Sequence, residues 1–120
     1  MKFNREFKIW DYWVSHSQLL LRSPGDLRYP VGSSESRNID IRFSGVGYID
    51  LPAVMHDLEI VDSILNDQSM AEARLGRTLM GEQVFVLISS GRRHLVVATV
   101  MVPPYENDHE LMISTLERTR

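Results

Sequence analysis

The sequence predicts an α+β fold rich in antiparallel strand. About seven strands and one or two short helices are expected, with the sheet closed as a small barrel or curled over a helix. Three observations carry this. Two apolar runs, Gln83–Ile88 and His94–Val102, flank the turn-forming stretch Ser89-Ser90-Gly91-Arg92-Arg93. Asn38-Ile39-Asp40-Ile41-Arg42-Phe43 alternates strictly between polar and apolar residues. Helical signals are confined to one stretch, where Ser69-Met70-Ala71-Glu72 has capping-box spacing and Gly76 can close the end.

In chain order, the first element is a hairpin over residues 7–22. Lys8-Ile9-Trp10-Asp11-Tyr12-Trp13-Val14 is aromatic and β-branched, and Gln18-Leu19-Leu20-Leu21-Arg22 follows Ser15-His16-Ser17. A two-residue turn at His16-Ser17 sets Val14 against Leu19, Tyr12 against Leu21 and Asp11 against Arg22; a three-residue turn shifts every pair by one. Regular alternation puts Trp10 and Tyr12 on one face and Trp13 on the other.

Residues 23–37 are rich in Pro, Gly and Ser and form a long surface loop. Its expected anchors are Leu27, Tyr29 and Val31, with the rest mobile. The alternating segment 38–43 is a half-buried strand, and Ser44-Gly45 is a tight turn into Val46–Leu51. Leu58–Val61 is a short strand. A helix covers Met70–Leu75, with an earlier start near Ser63 open because Ile64, Ala71 and Leu75 share a helical face. The two long apolar runs are apolar on both faces, so they belong at the centre of the sheet, with Val84, Val86, Ile88, Val97 and Val100 buried. Pro103-Pro104 stops the second run, Tyr105–Glu110 is polar loop, and Leu111–Leu116 is a last strand candidate.

The 120 residues suit one domain, 1–120, and a hydrophobic share of 43% against 24% charged is enough for an ordinary core. There is no cysteine, which excludes disulfides, thiolate catalysis and Cys-based zinc sites and fits a reducing compartment. Met1–Glu6 is charged and shows no signal peptide. The longest apolar stretch, Leu95–Val102, is far short of the ~20 residues a spanning helix needs. A cytoplasmic protein with no membrane partner is expected. The net charge of −3 and the scattered bases, with Arg92-Arg93 the one adjacent pair, argue against nucleic acid.

The four histidines, His16, His56, His94 and His109, show no metal-ligand spacing and suit turn and strand-end positions. Glu106, Asp108, His109 and Glu110 cluster in sequence but lack the glycine bend of a cation loop. No Gly-x-Ser-x-Gly occurs, and Gly45-Val46-Gly47 lacks the third glycine of a phosphate loop. Neither a metal nor a cofactor is expected. The most informative residues are aromatic: Trp10, Tyr12 and Trp13, with Asp11, His16 and Arg22 beside them, are types that carry binding energy at interfaces. The function expected first is non-enzymatic binding of a protein partner, in the manner of an inhibitor or immunity protein. A barrel holding a small apolar ligand, lined by the aromatics and Met101 or Met112, is one alternative. An enzyme assembled from dispersed His, Asp and Arg residues is another. A second copy of the chain is also open as a partner.

Overall fold

The computed structural model describes residues 1–108 and Leu116. Among these residues the chain forms β1 (Phe7–Trp13), β2 (Gln18–Ser23), β3 (Asn38–Ser44), β4 (Tyr48–Asp50), β5 (Val54–Met55), β6 (Glu59–Val61), α1 (Leu65–Leu75), β7 (Gln83–Ser89), β8 (Arg92–Ala98) and β9 (Val100–Asn107). The strands make two antiparallel sheets, β5-β1-β2-β3-β9 and β4-β8-β7-β6. No helix among the described residues is long and apolar enough to cross a membrane.

The alternation of side chains along each strand explains the layering. Phe7, Leu19, Leu21, Ile41 and Phe43 project from one face of the five-stranded sheet and meet Leu87, Val96 and Ala98 of the four-stranded sheet. The opposite face of that second sheet carries Val84, Val86, Leu95 and Val97, which pack under Ala71 and Leu75 of α1. β7 and β8 are therefore covered on both sides, as their doubly apolar sequences require. Ser90 and Gly91, at φ +51° and +76°, join them in a two-residue turn that sets Ser89 opposite Arg92.

Two sheets packed face to face with a helix outside replace the expected barrel; neither sheet is closed or curled. The reason lies at Thr99. The apolar run 94–102 is not one strand: β8 ends at Ala98, and β9 continues in the other sheet. The same corner brings β3 to β4. Gly45 turns there with φ +65°, and a Cβ on it would overlap the Thr99 hydroxyl and lie 2.8 Å from the Thr99 Cβ. Ser44-Gly45 thus passes the chain between sheets instead of closing a hairpin.

Three further expectations are corrected by the structure, and for the helix the earlier of the two expected starts holds. Val100 is 48% exposed because it opens β9, while Val84, Val86 and Val97 are buried and Ile88 is partly buried. Pro103 and Pro104 do not end a strand but sit in β9 at a bulge between the Asp40–Tyr105 and Arg42–Val102 pairs; β9 ends the described sheet, where proline is tolerated. Tyr105–Asn107 are strand, not loop, and residues 109–115 lie outside the described residues. The helix starts at Leu65, because the Asp67 carboxylate accepts a hydrogen bond from the Ile64 amide at 2.9 Å, while Ser69 donates to the Leu65 carbonyl from within the helix. Ile64 is consequently exposed at the cap, and the buried positions are Asp67 and Ala71. Gly76 closes the helix at φ +75°, as expected.

Candidate functional site

The first hairpin differs from its expected register. Val14–His16 form a 3-10 turn completed by Ser17 at φ +49°, and Tyr12 faces Leu19, Ile9 faces Leu21, Lys8 faces Arg22 and Asp11 faces Leu20. The shift between Ile9 and Asp11 is a bulge at Trp10. It changes the faces of the residues that follow, while Trp10 itself lies on the outer side of the sheet over the Arg22 guanidinium, 5.4 Å from ring centroid to Cζ. Arg22 is fully buried and bonded to Asp40, so it is no rim charge for a partner. At the far end, Trp13 stacks on His16 with ring centroids 3.7 Å apart. Tyr12 and Val14 are exposed beside them.

The other feature is the loop between β2 and β3. Its root is built from polar contacts. Asn38 Oδ1 accepts from the Gly25 amide at 2.9 Å, and the Asp26 amide donates to the Glu35 carbonyl at 2.8 Å. Gly25 passes so close to the opposite arm that a Cβ would come within 2.6 Å of the Ser36 carbonyl carbon, so no larger residue fits. Ser33 Oγ donates to the Pro30 carbonyl and Ser36 Oγ to the Ser33 carbonyl, shaping a 3-10 turn over Ser34–Ser36. On the far side, Arg37 pairs with Asp108 at 3.0 Å and Glu106 at 3.4 Å, and Ser34 Oγ donates to Glu106.

Arg5 spans the root. Its guanidinium donates to the Ser23 hydroxyl (3.0 Å), to the Ser23 and Pro24 carbonyls (3.2 and 3.0 Å), and across to the Ser34 and Arg37 carbonyls (3.3 and 2.7 Å). Burial pushes its pKa below the usual arginine value, opposed by the charges of Glu106 and Glu35.

The tip has opposite chemistry. Val31 is 100% exposed, Leu27 89% and Tyr29 49%. These three were the expected anchors of the loop, and the structure reverses that assignment: hydrogen bonds hold the root while the apolar residues stand in solvent. Between them, Asp26 and Arg28 pair at 2.7 Å, and the Arg28 hydrogen bonds lower the Asp26 pKa to about 2. A groove of about 760 Å3 runs beside the loop, lined by Phe3, Arg5, Pro24, Tyr29, Glu35 and Ile39 among others.

Several other polar side chains of the described residues form pairs. His56 lies 3.5 Å from Glu6, His94 lies 3.9 Å from Asp50, and Arg74 donates to the Tyr48 hydroxyl at 2.8 Å. Among the described residues no three His, Cys, Asp or Glu side chains converge as a metal site. His109, Glu110 and Met112 lie outside the described residues.

Sequence reasoning missed Arg5 because an isolated arginine in a charged segment carries no local signal; its partners are 18 to 32 residues away. The tip did carry a signal. Leu27, Tyr29 and Val31 alternate with Arg28 and Pro30 inside a loop otherwise made of turn residues. No family model matches the chain, and no curated protein or solved structure shows significant similarity to it.

Proposed function

We propose that this chain is a non-enzymatic binding domain that engages a protein partner through the apolar tip of the 24–36 loop. The observation that carries the reading is the exposure of Leu27 and Val31 on a loop whose root is fixed by hydrogen bonds on both arms. Solvent-exposed apolar side chains that cluster on one element are a recurrent mark of interaction sites. A loop held in shape before contact loses less conformational entropy on binding than a loose one. The Asp26–Arg28 pair satisfies its own charges, so the tip offers Leu27, Tyr29, Pro30 and Val31 as a neutral finger suited to an apolar depression. Burying one Leu or Val contributes about 1.5–3 kcal/mol. At ~1.4 kcal/mol per decade, losing either side chain weakens binding about tenfold or more. The cysteine-free sequence supports a reducing, cytoplasmic setting.

A second contact region in the same reading is the end of the first hairpin, where Val14 and Tyr12 are exposed beside the Trp13–His16 stack. A photo-cross-linking residue at Val31, with a control at exposed Gln68 on α1, tests the proposal in extracts of the source cells. A discrete protein captured at Val31, absent at Gln68 and lost in Leu27→Asp, is the expected result. The same captured set at both positions, or capture unchanged in Leu27→Asp, overturns it.

A further inference from the structure

We infer that residues 1–5 form a strap whose seating on the edge of β6 sets the conformation of the 24–36 loop, with the Arg5 guanidinium as the link. The inference deepens the reading of that loop as the contact surface and adds its control.

Three observations meet here. First, the strap is seated as an extra strand segment: the Phe3 amide donates to the Leu58 carbonyl at 2.8 Å, the Ile60 amide to the Met1 carbonyl at 2.8 Å, and Lys2 bridges Glu59. Second, the seat is keyed by a ring. Phe3 meets Phe7 edge to face at 5.1 Å and packs on the core between the sheets. Third, two residues farther on, Arg5 reaches both arms of the loop, Ser23 and Pro24 on one side and Ser34 and Arg37 on the other.

The chemistry suits a clamp. A guanidinium presents five N–H donors in a fixed planar fork, so one side chain can hold carbonyls on two strands of backbone at once. A lysine ammonium keeps the charge but not the fork. When the strap is seated, the fork closes the root and the tip is presented. When it lifts, both arms lose their shared partner, and the Gly25–Asn38 and Asp26–Glu35 bonds are left to hold the root above the β2–β3 ladder. Apparent affinity scales with the fraction of molecules in the competent conformation, so anything that unseats the strap weakens binding without touching the tip.

Arg5 is a positioning residue in this scheme, and amide exchange reads its role without a partner. The reporters are the Asp26 and Arg37 amides, bonded to the Glu35 and Ser34 carbonyls, with Val86 and Val96 as references in the central strands. Arg5→Lys and Phe3→Ala should each speed exchange of the reporters by about tenfold or more and leave the references unchanged. Adding Phe3→Ala to Arg5→Lys should bring no further increase, because the strap then has no link to act through. Deletion of residues 1–3, which removes the seat and keeps Arg5, should repeat the Phe3→Ala effect if that variant also loosens the references. Reporters that stay protected in Arg5→Lys or in the deletion overturn the inference, as do independent, additive effects in the double variant. Cross-linking at Val31 judges the contact surface separately, since exchange at the root does not depend on what the tip touches.

Discussion

The Arg22 guanidinium lies against the Asp40 carboxylate as a two-pronged pair, Nε to Oδ1 at 2.8 Å and Nη2 to Oδ2 at 3.0 Å, with neither side chain reaching solvent. The pair joins neighbouring strands on the outer side of the five-stranded sheet, beneath Trp10. Removing one member takes the bidentate partner from a buried charge, whereas replacing both with apolar residues removes the desolvation penalty together with the attraction. Arg22→Met or Asp40→Leu alone should destabilise by about 3–5 kcal/mol, and the double replacement by clearly less. Urea midpoints of the three variants measure the difference; a double variant as unstable as the sum of the singles would show that the pair does not act as a unit.

Tip residues should behave in the opposite way. Leu27→Asp and Val31→Asp remove side chains that touch little of the fold, so stability should stay within about 0.5 kcal/mol of the parent. Thermal melts check this directly. A large loss of stability would mean that Leu27 or Val31 anchors the loop after all.

The change of sheet at Thr99 predicts a contrast within one apolar run. Val86 and Val96 are fully buried, whereas Val100 is half-exposed. Val96→Ala should destabilise by about 1–3 kcal/mol, from lost transfer energy and the cavity it leaves. Val100→Ala should change stability by less than about 0.5 kcal/mol. Equal effects in chemical denaturation would place both valines in one central strand.

Asp67 gives the pH dependence. The Arg93 hydrogen bonds hold its carboxyl below the usual range against the opposing effect of burial, with help from the Ile64 amide. A carboxyl whose folded pKa is depressed contributes its full stability above the unfolded value of about 4 and loses it as pH falls through the folded value. Asp67→Ala should therefore destabilise by about 1–2 kcal/mol at neutral pH, in the range of a lost helix cap. Its deficit should shrink as the parent protein is acidified below about pH 4. Urea midpoints at pH 7 and pH 3 give the comparison; a deficit that grows on acidification would contradict the sign.

What the sequence made legible follows physical range. The β7–β8 hairpin was readable because both strands and the Ser90-Gly91 turn are contiguous and their pattern is purely hydrophobic. The strand at 38–44 was readable from alternation, yet the burial of Asn38 and Asp40 on its polar face was not, since their partners lie on β2 and β9. One inserted residue, Trp10, was enough to shift the hairpin register and regroup the aromatic faces. The exchange of sheets at Thr99 is a tertiary event with a local trace in Gly45, which no pattern of period two reveals. The candidate site was half legible. Its loop and apolar residues stand out in the chain, but which end of the loop they serve depends on Arg5, far away in sequence.

Pro103 and Pro104 bear on how these molecules coexist at high concentration. A strand that ends a sheet can template the addition of another chain through its row of amide donors. β9 lacks that donor at two successive positions and bends there through its bulge. The missing donors and the bend at the bulge make this stretch of β9 a poor template for a further strand. The two imino acids that read as a stop in the sequence are thus built into the strand, and they make its ladder irregular where regularity would favour chain addition.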